Sequence, residues 1–351
     1  MEDARHGFAE KLLAWYDAGH RALPWRETGD PYAIWVSEIM LQQTRAETAA
    51  GYYRRFLARF PTVSALAEAP EQDVLKLWEG LGYYTRARNL QAAARRVMSD
   101  CSGCLPDTVQ GLAALPGIGP YTAGAVAAIA FGRRAAAVDG NVERVVARLR
   151  GIRQDVGIPS VRRALRRAAE ELVPGDRVSD YTNAMMELGA TVCLPGTPDC
   201  GACPVAAFCD ALEAGDADLL PRKQRGRAPR QEARGVAVVC CAGRVLVQRR
   251  LERLLHGMWQ FPNALDAADA QGLARALADQ GIAAHPLRRL GEARHVFTHI
   301  IWQMRIYLFA AETPFELPES LWADAEALRA LPIPTAMCAA KQYALACLAT
   351  P

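Results

Sequence analysis

No apolar run in this chain reaches the roughly 18–20 residues a helix needs to cross a bilayer, and Met1–His6 is charged rather than apolar. Neither a membrane span nor a secretory leader is expected, so the reading is a soluble, cytoplasmic protein with no membrane partner. A global field for polyanions is lacking too, because the net charge is only +3. Any nucleic-acid contact must come from local clusters, for which Arg133 and Arg134, and Arg144, Arg148, Arg150 and Arg153, are candidates. Lysine is scarce: Lys11, Lys76, Lys223 and Lys341 are the only four. A small secreted disulfide scaffold is excluded by the length of 351 residues, so the ten cysteines need another explanation.

That length predicts two domains, and the charge is distributed unevenly. Residues 1–220 carry 24 basic and 27 acidic side chains, and residues 221–235 carry 6 and 1. The first 220 residues read as helical. Val74–Leu81, Asn89–Met98 and Thr122–Phe131 place apolar residues at three- and four-residue spacing, with Gly and Pro between them. Residues 221–234 read as a basic linker. After it, Gly235–Cys241 and Arg244–Gln248 read as a hairpin, Ala267–Gln280 as a helix and Val296–Phe309 as a strand, which predicts an α+β domain over 235–351.

Cys193, Cys200, Cys203 and Cys209 are spaced C-x6-C-x2-C-x5-C, four thiols within 17 residues that can close one loop around a metal centre. Zinc is the generic alternative, but zinc sites usually pair two short knuckles across a longer gap. Cys101 and Cys104 have no partner ligands in the sequence, and Cys240, Cys241, Cys338 and Cys347 read as core thiols. Upstream, Leu115-Pro116-Gly117-Ile118-Gly119-Pro120-Tyr121 joins two helical patterns. Its glycines permit a sharp turn, and the free N–H groups of the next helix favour a phosphate.

Two carboxyls stand out. Glu38 lies among apolar neighbours in Trp35-Val36-Ser37-Glu38-Ile39-Met40, where burial raises a carboxyl pKa. Asp139 lies in Val138-Asp139-Gly140-Asn141-Val142, a position that also suits a helix N-cap. An acid that protonates a leaving base, with an anion beside the developing oxocarbenium ion, is the chemistry of N-glycosidic cleavage.

Taken in order, these motifs resemble the MutY family of adenine DNA glycosylases over roughly residues 8–345. The resemblance implies an all-α helix-hairpin-helix glycosylase domain over 1–220 with a [4Fe–4S] cluster on the loop 193–209. A Nudix-like α+β domain over 235–351 completes the multidomain chain. It implies that Glu38 protonates adenine N7 and later activates water, that Asp139 stabilises or transiently bonds C1′, and that Tyr121 and Asn141 assist them. Trp25, Arg26 and Leu41 would line the adenine pocket with Asn183, which stands where relatives carry Gln or Glu. Gly117 and Gly119 would hold backbone phosphates, Gln43 and Thr44 would fill the gap left by the flipped base, and Tyr83 would wedge beside 8-oxoguanine.

In the second domain Leu254-Leu255-His256-Gly257-Met258-Trp259-Gln260-Phe261-Pro262 carries the resemblance, and His295-Val296-Phe297-Thr298-His299 resembles the loop that inspects 8-oxoguanine, with Thr for Ser. Phe297, Thr298 and His299 are thus recognition candidates. The stretch Gln271–Gly281 lacks the paired glutamates of a nucleotide hydrolase. Bifunctional relatives place a Schiff-base lysine where Tyr121 stands, which implies a monofunctional enzyme. The implied partner is duplex DNA with A:8-oxoguanine or A:G mispairs, met by a monomer that visits the nucleoid. Two other readings stay open: a bifunctional glycosylase/lyase, and a Nudix hydrolase or non-catalytic iron–sulfur DNA sensor.

Overall fold

The computed structural model describes residues 2–224, 228–267 and 269–349. The chain folds as two compact units, residues 1–68 with 89–225, and residues 69–88 with 226–351. Among the described residues the helices in chain order begin with α1 (Glu2–Gly19), α2 (Pro31–Leu41), α3 (Ala46–Arg59), α4 (Val63–Glu68), α5 (Glu71–Leu77) and α6 (Thr85–Asp100). They continue with α7 (Val109–Ala113), α8 (Pro120–Phe131), α9 (Gly140–Leu149), α10 (Pro159–Leu172), α11 (Val178–Thr191) and α12 (Asp210–Glu213). No helix there is long and apolar enough to cross a membrane.

The first unit is built around two helices that are apolar on every side. All of Tyr32–Met40 in α2 is buried, as is all of Thr122–Ala128 in α8, and the two helices pack together. Any polar side chain on either must therefore find its partner inside the protein. The amphipathic α9 presents Val142, Val145, Val146 and Leu149 to a core shared with Phe8 and Leu12 of α1 and Tyr181 and Leu188 of α11. At Gly189 a Cβ would lie 2.6 Å from that of Asn141, so only glycine lets α11 approach the start of α9 this closely.

The second unit holds a seven-stranded sheet: β1 (Arg230–Cys241), β2 (Arg244–Arg249), β3 (Trp259–Gln260), β4 (Asn263–Leu265), β5 (His285–Val296), β6 (Ile300–Ala310) and β7 (Ser320–Ala323). The order is β3-β2-β1-β6-β5, with β4 added to β1 and β7 to β2; β1 and β6 are parallel. The expected hairpin is present, with Cys241 opposite Arg244. Alternate residues of β1 feed two cores. Val236 and Val238 meet α15 (Cys338–Ala349), and Ala237 and Val239 meet α13 (Ala270–Asp279). Between them, α14 (Ala325–Ala330) adds Leu328 to the α15 side.

Three local expectations change. Val296–Phe309 is not one strand: β5 ends at Val296, residues 297–299 turn, and β6 begins at Ile300. The last residues of the expected linker, 230–234, already belong to β1, while 225–227 lie outside the described residues. Helix α5 belongs with the C-terminal sheet through Gln72, which donates to Gly257 O at 3.1 Å and accepts from Trp259 Nε1 at 2.8 Å. A contact at that sequence distance leaves no local trace.

Candidate active site

The first unit contains a cleft of about 1020 Å³. Twelve of the residues singled out in the sequence line it: Trp25, Arg26, Glu38, Leu41, Gln43, Thr44, Gly117, Gly119, Tyr121, Asp139, Asn141 and Asn183. They come from five places in the chain. The turn before α2 supplies Trp25 and Arg26, α2 and its C-terminal exit supply Glu38 to Thr44, and the hairpin into α8 supplies Gly117 to Tyr121. The N-terminus of α9 brings Asp139 and Asn141, and α11 brings Asn183.

Glu38 is only 2% exposed, on a helix with apolar neighbours on every side. Burial, helped by the charge of Asp139, raises its pKa to about 7, against a hydrogen bond from Tyr121 and the charge of Arg26. That bond runs from the Tyr121 phenol to Glu38 Oε2 at 2.5 Å. Burial and the two carboxyl charges keep the phenol protonated far above its usual range, so Tyr121 is a fixed donor here.

Asp139 is the N-cap of α9, accepting from Val142 N at 2.7 Å through Oδ1. Its Oδ2 accepts from Asn141 Nδ2 at 3.2 Å, and Asn141 Oδ1 in turn accepts from Arg144 Nη2 at 2.9 Å. Burial raises the Asp139 pKa, against these hydrogen bonds and the Arg144 charge. The N-cap reading of this residue holds, and its carboxyl lies in the same cleft as Glu38. The cleft holds one buried proton donor and one oriented carboxyl, in environments that differ.

The hairpin residue Gly117 has φ 73°, and a Cβ there would lie 2.5 Å from that of Asn89. Glycine is thus required twice over, by conformation and by space. Pro120 opens α8 with Gly119 as N-cap and no side-chain cap, which leaves first-turn N–H groups facing the cleft. Gln43 also has a left-handed backbone, φ 58°. Non-glycine residues hold such angles only where their surroundings impose them. Asn183 donates its amide to Ser179 O at 3.1 Å.

The sequence reading missed Glu187, one turn beyond Asn183 on α11 and 2% exposed. It accepts from Arg21 Nε and Arg26 Nη2, both at 2.8 Å, and so orients Arg26 in the cleft. Burial would raise its pKa, but the bonds from both arginines prevail and hold it near 2. The i,i+4 spacing from Asn183 was the available signal. Arg45, Arg162, Arg166 and Lys223 also line the cleft unanticipated.

Of the six arginines expected to meet DNA, Arg150 is exposed and the other five are engaged within the protein. Arg144 donates to Cys193 O at 2.7 Å and Gly189 O at 2.7 Å, and Arg148 is 1% exposed. Arg133 pairs with Asp107, Arg153 with Asp216, and Arg134 donates to Val173 O at 3.1 Å.

Cys193, Cys200, Cys203 and Cys209 line one cavity of about 30 Å³ together with Arg148. All ten cysteines are free. Among the described residues no three His, Cys, Asp or Glu side chains are arranged to hold a metal ion. Arg148 Nη1 donates to Cys193 Sγ at 3.2 Å and to Leu194 O at 2.8 Å, and its Nε donates to Leu220 O at 2.9 Å. Its Nη2 is buried with no partner among the described residues. A buried cation with an idle donor beside four thiols suits an anionic thiolate-bound group of several atoms.

In the second unit Tyr83 is 49% exposed with φ 47°, whereas Tyr84 beside it and Trp25 of the first unit are buried. The Tyr83 hydroxyl and Thr298 Oγ1 are 2.8 Å apart, which joins two positions 215 residues apart in sequence. Thr298 and His299 are exposed in the 297–299 turn. Phe297 stacks edge-on against both His295 (4.5 Å) and Trp302 (4.9 Å). Among the core-thiol candidates Cys241 is buried and Cys240, Cys338 and Cys347 are half-buried; Cys104 is exposed.

Residues 36–174 match the HhH-GPD superfamily of base excision DNA repair proteins, and residues 235–342 match the NUDIX domain. The chain is 38% identical to the adenine DNA glycosylase of Rattus norvegicus, covering 94% of this chain and 76% of that one. It is 36% identical to the human adenine DNA glycosylase, at 94% and 72% coverage. A similar solved structure is a thermostable thymine-DNA glycosylase, with TM-score 0.54 and 32% identity over 61% of this chain and 98% of that one. Endonuclease III in a non-covalent DNA complex shares the fold at TM-score 0.51 and 23% identity, over 61% of this chain and 97% of that one.

Proposed function

This chain belongs to the adenine DNA glycosylase (MutY) family of base excision repair enzymes, and from that premise we propose that it excises adenine mispaired with 8-oxoguanine or guanine without cutting the strand. The observation that carries the chemistry is the buried Glu38, with a pKa near 7, in one cleft with Asp139. The Glu38 proton passes to N7 of the flipped adenine, the C1′–N9 bonding pair leaves with the base, and Asp139 faces the positive charge left on the sugar. Water then adds at C1′ as Glu38 recovers a proton. Tyr121 holds Glu38 Oε2, and Asn141 holds Asp139 Oδ2.

Specificity for the opposite base is assigned to Tyr83, Thr298 and their neighbours Phe297 and His299. The support is the Tyr83–Thr298 hydrogen bond, which sets an exposed aromatic beside a hydroxyl and two ring residues. The test is single-turnover reaction on duplexes carrying A:8-oxoguanine, A:G or A:T. Breaks are expected only after alkali and only from the two mispairs. Breaks without alkali, lost in Lys223→Gln, would make the protein a lyase using the lysine that lines the cleft. Equal rates on A:T would sink the mispair reading.

We infer that Cys193, Cys200, Cys203 and Cys209 hold a [4Fe–4S] cluster, which pins the 193–209 loop and supplies no step of the excision. Arg148→Met removes the buried cation at the thiols. Its expected effect is about 10–100-fold weaker retention of iron against a chelator, as for other groups that orient metal ligands. The exposed neighbour change Arg150→Met should leave retention as it is; equal losses in both would refute the role of Arg148.

A further inference from the structure

We propose that Arg162 and Arg166, with Arg45 and Lys223, form a phosphate-binding rim that holds the DNA backbone beside the nucleotide in the cleft. This rests on duplex DNA as the substrate and not on which mispair is excised. All four side chains line the catalytic cleft. Among the described residues none of the four has an ion pair or side-chain hydrogen bond. Six other arginines of the unit are paired with carboxylates: Arg21 and Arg26 with Glu187, Arg96 with Asp100, Arg133 with Asp107, Arg153 with Asp216 and Arg177 with Asp17. The carboxylates on the same cleft do not cancel the rim. Glu38 is about half protonated near pH 7, Glu47 pairs with Arg21, and Asp139 is bonded at its helix cap; Glu143 remains.

Helix α10 carries two of the four rim residues on its polar side. It buries Leu165, Ala169 and Leu172 and carries Arg162, Arg163, Arg166 and Arg167 outside that face. The pairs Arg162–Arg166 and Arg163–Arg167 are like-charged and cost the isolated helix a few tenths of a kcal/mol each, which Arg166–Glu170 and Arg167–Glu171 offset at the same spacing. Arg162 and Arg166 sit one turn apart, with Cβ atoms about 5–6 Å from each other. That spacing lets two planar guanidinium forks take oxygens of neighbouring phosphates, contacts that fix position without reading sequence. The α8 N-terminus in the same cleft supplies backbone N–H donors for a further phosphate.

The experiment compares Arg162→Gln/Arg166→Gln with Arg163→Gln/Arg167→Gln, an equal charge change on the same helix off the cleft. Dissociation constants for an undamaged duplex are measured from low to high salt. For the cleft pair the slope of log Kd against log salt should fall by about 2, with weaker binding at every salt concentration. For the other pair the slope should stay at the wild-type value. Thermal midpoints should change alike in the two variants, since each loses one Arg–Arg and one Arg–Glu pair at i,i+4. An unchanged slope in the cleft pair, or an equal fall in both, overturns the rim. Failure of the wild type to bind any duplex would instead overturn the DNA reading itself.

Discussion

Glu38→Gln is expected to lower the single-turnover rate of adenine excision by about 10²–10⁴-fold, the range a positioned general acid contributes. The substitution keeps the shape of the side chain and can still accept the Tyr121 hydrogen bond, so the loss isolates the proton. In the wild type the rate should fall as pH rises through about 7, because the acid form of Glu38 is lost there. Stability gives a second readout with its own sign. The folded pKa lies near 7 and the unfolded one at 4.5, so the contribution of this group is complete below 4.5 and is lost as pH rises through 7. The group is almost fully buried, and the loss amounts to something on the order of 3 kcal/mol. The variant should therefore melt above the wild type at pH 8 and match it near pH 4. Full excision in Glu38→Gln would remove the residue from the mechanism. Lost excision without the pH-dependent stability gain would mean that its carboxyl is not raised.

The burial of Glu38 was legible because its signal is local: one ionisable residue in a largely apolar helix that packs against another apolar helix. Asp139 was legible for the same reason, through a cap motif that reads the same in any fold. That the four cysteines line one cavity was legible because all four lie within 17 residues. What failed depended on distance. Arg144 and Arg148 lie one turn apart on α9, and nothing in that helix says that residues 193–220 will cover them. They read as a basic face and are instead the inner wall of the cysteine loop. Arg162 and Arg166 were not singled out, because the cleft they line is assembled from α2, α8, α9 and α11. The strand boundary at Val296 was missed because His295–His299 contains neither Gly nor Pro, the usual markers of a turn. Residues 69–88 were assigned by continuity to the first domain, whereas their partners, Gly257 and Trp259, are some 185 positions away.

Asp139→Asn separates the two roles that coexist at the start of α9. Asparagine caps a helix about as well as aspartate, so the bond to Val142 N survives and the thermal midpoint should stay close to wild type. The anion facing the sugar is gone, and removal of one such electrostatic partner costs about 10²–10³ in rate. Asp139→Ala should show the same loss of rate and, in addition, about 1 kcal/mol of lost stability from the missing cap. A third consequence follows from the charge itself. Asp139 is one of the groups that raise the Glu38 pKa, so its neutralisation should move the alkaline limb of the residual activity to lower pH. The pair of variants thus gives three readouts with different signatures. If Asp139→Asn kept its rate while Asp139→Ala lost both rate and stability, the carboxyl would be a cap alone. Excision would then have to proceed on Glu38 and Tyr121 without an anion beside the sugar.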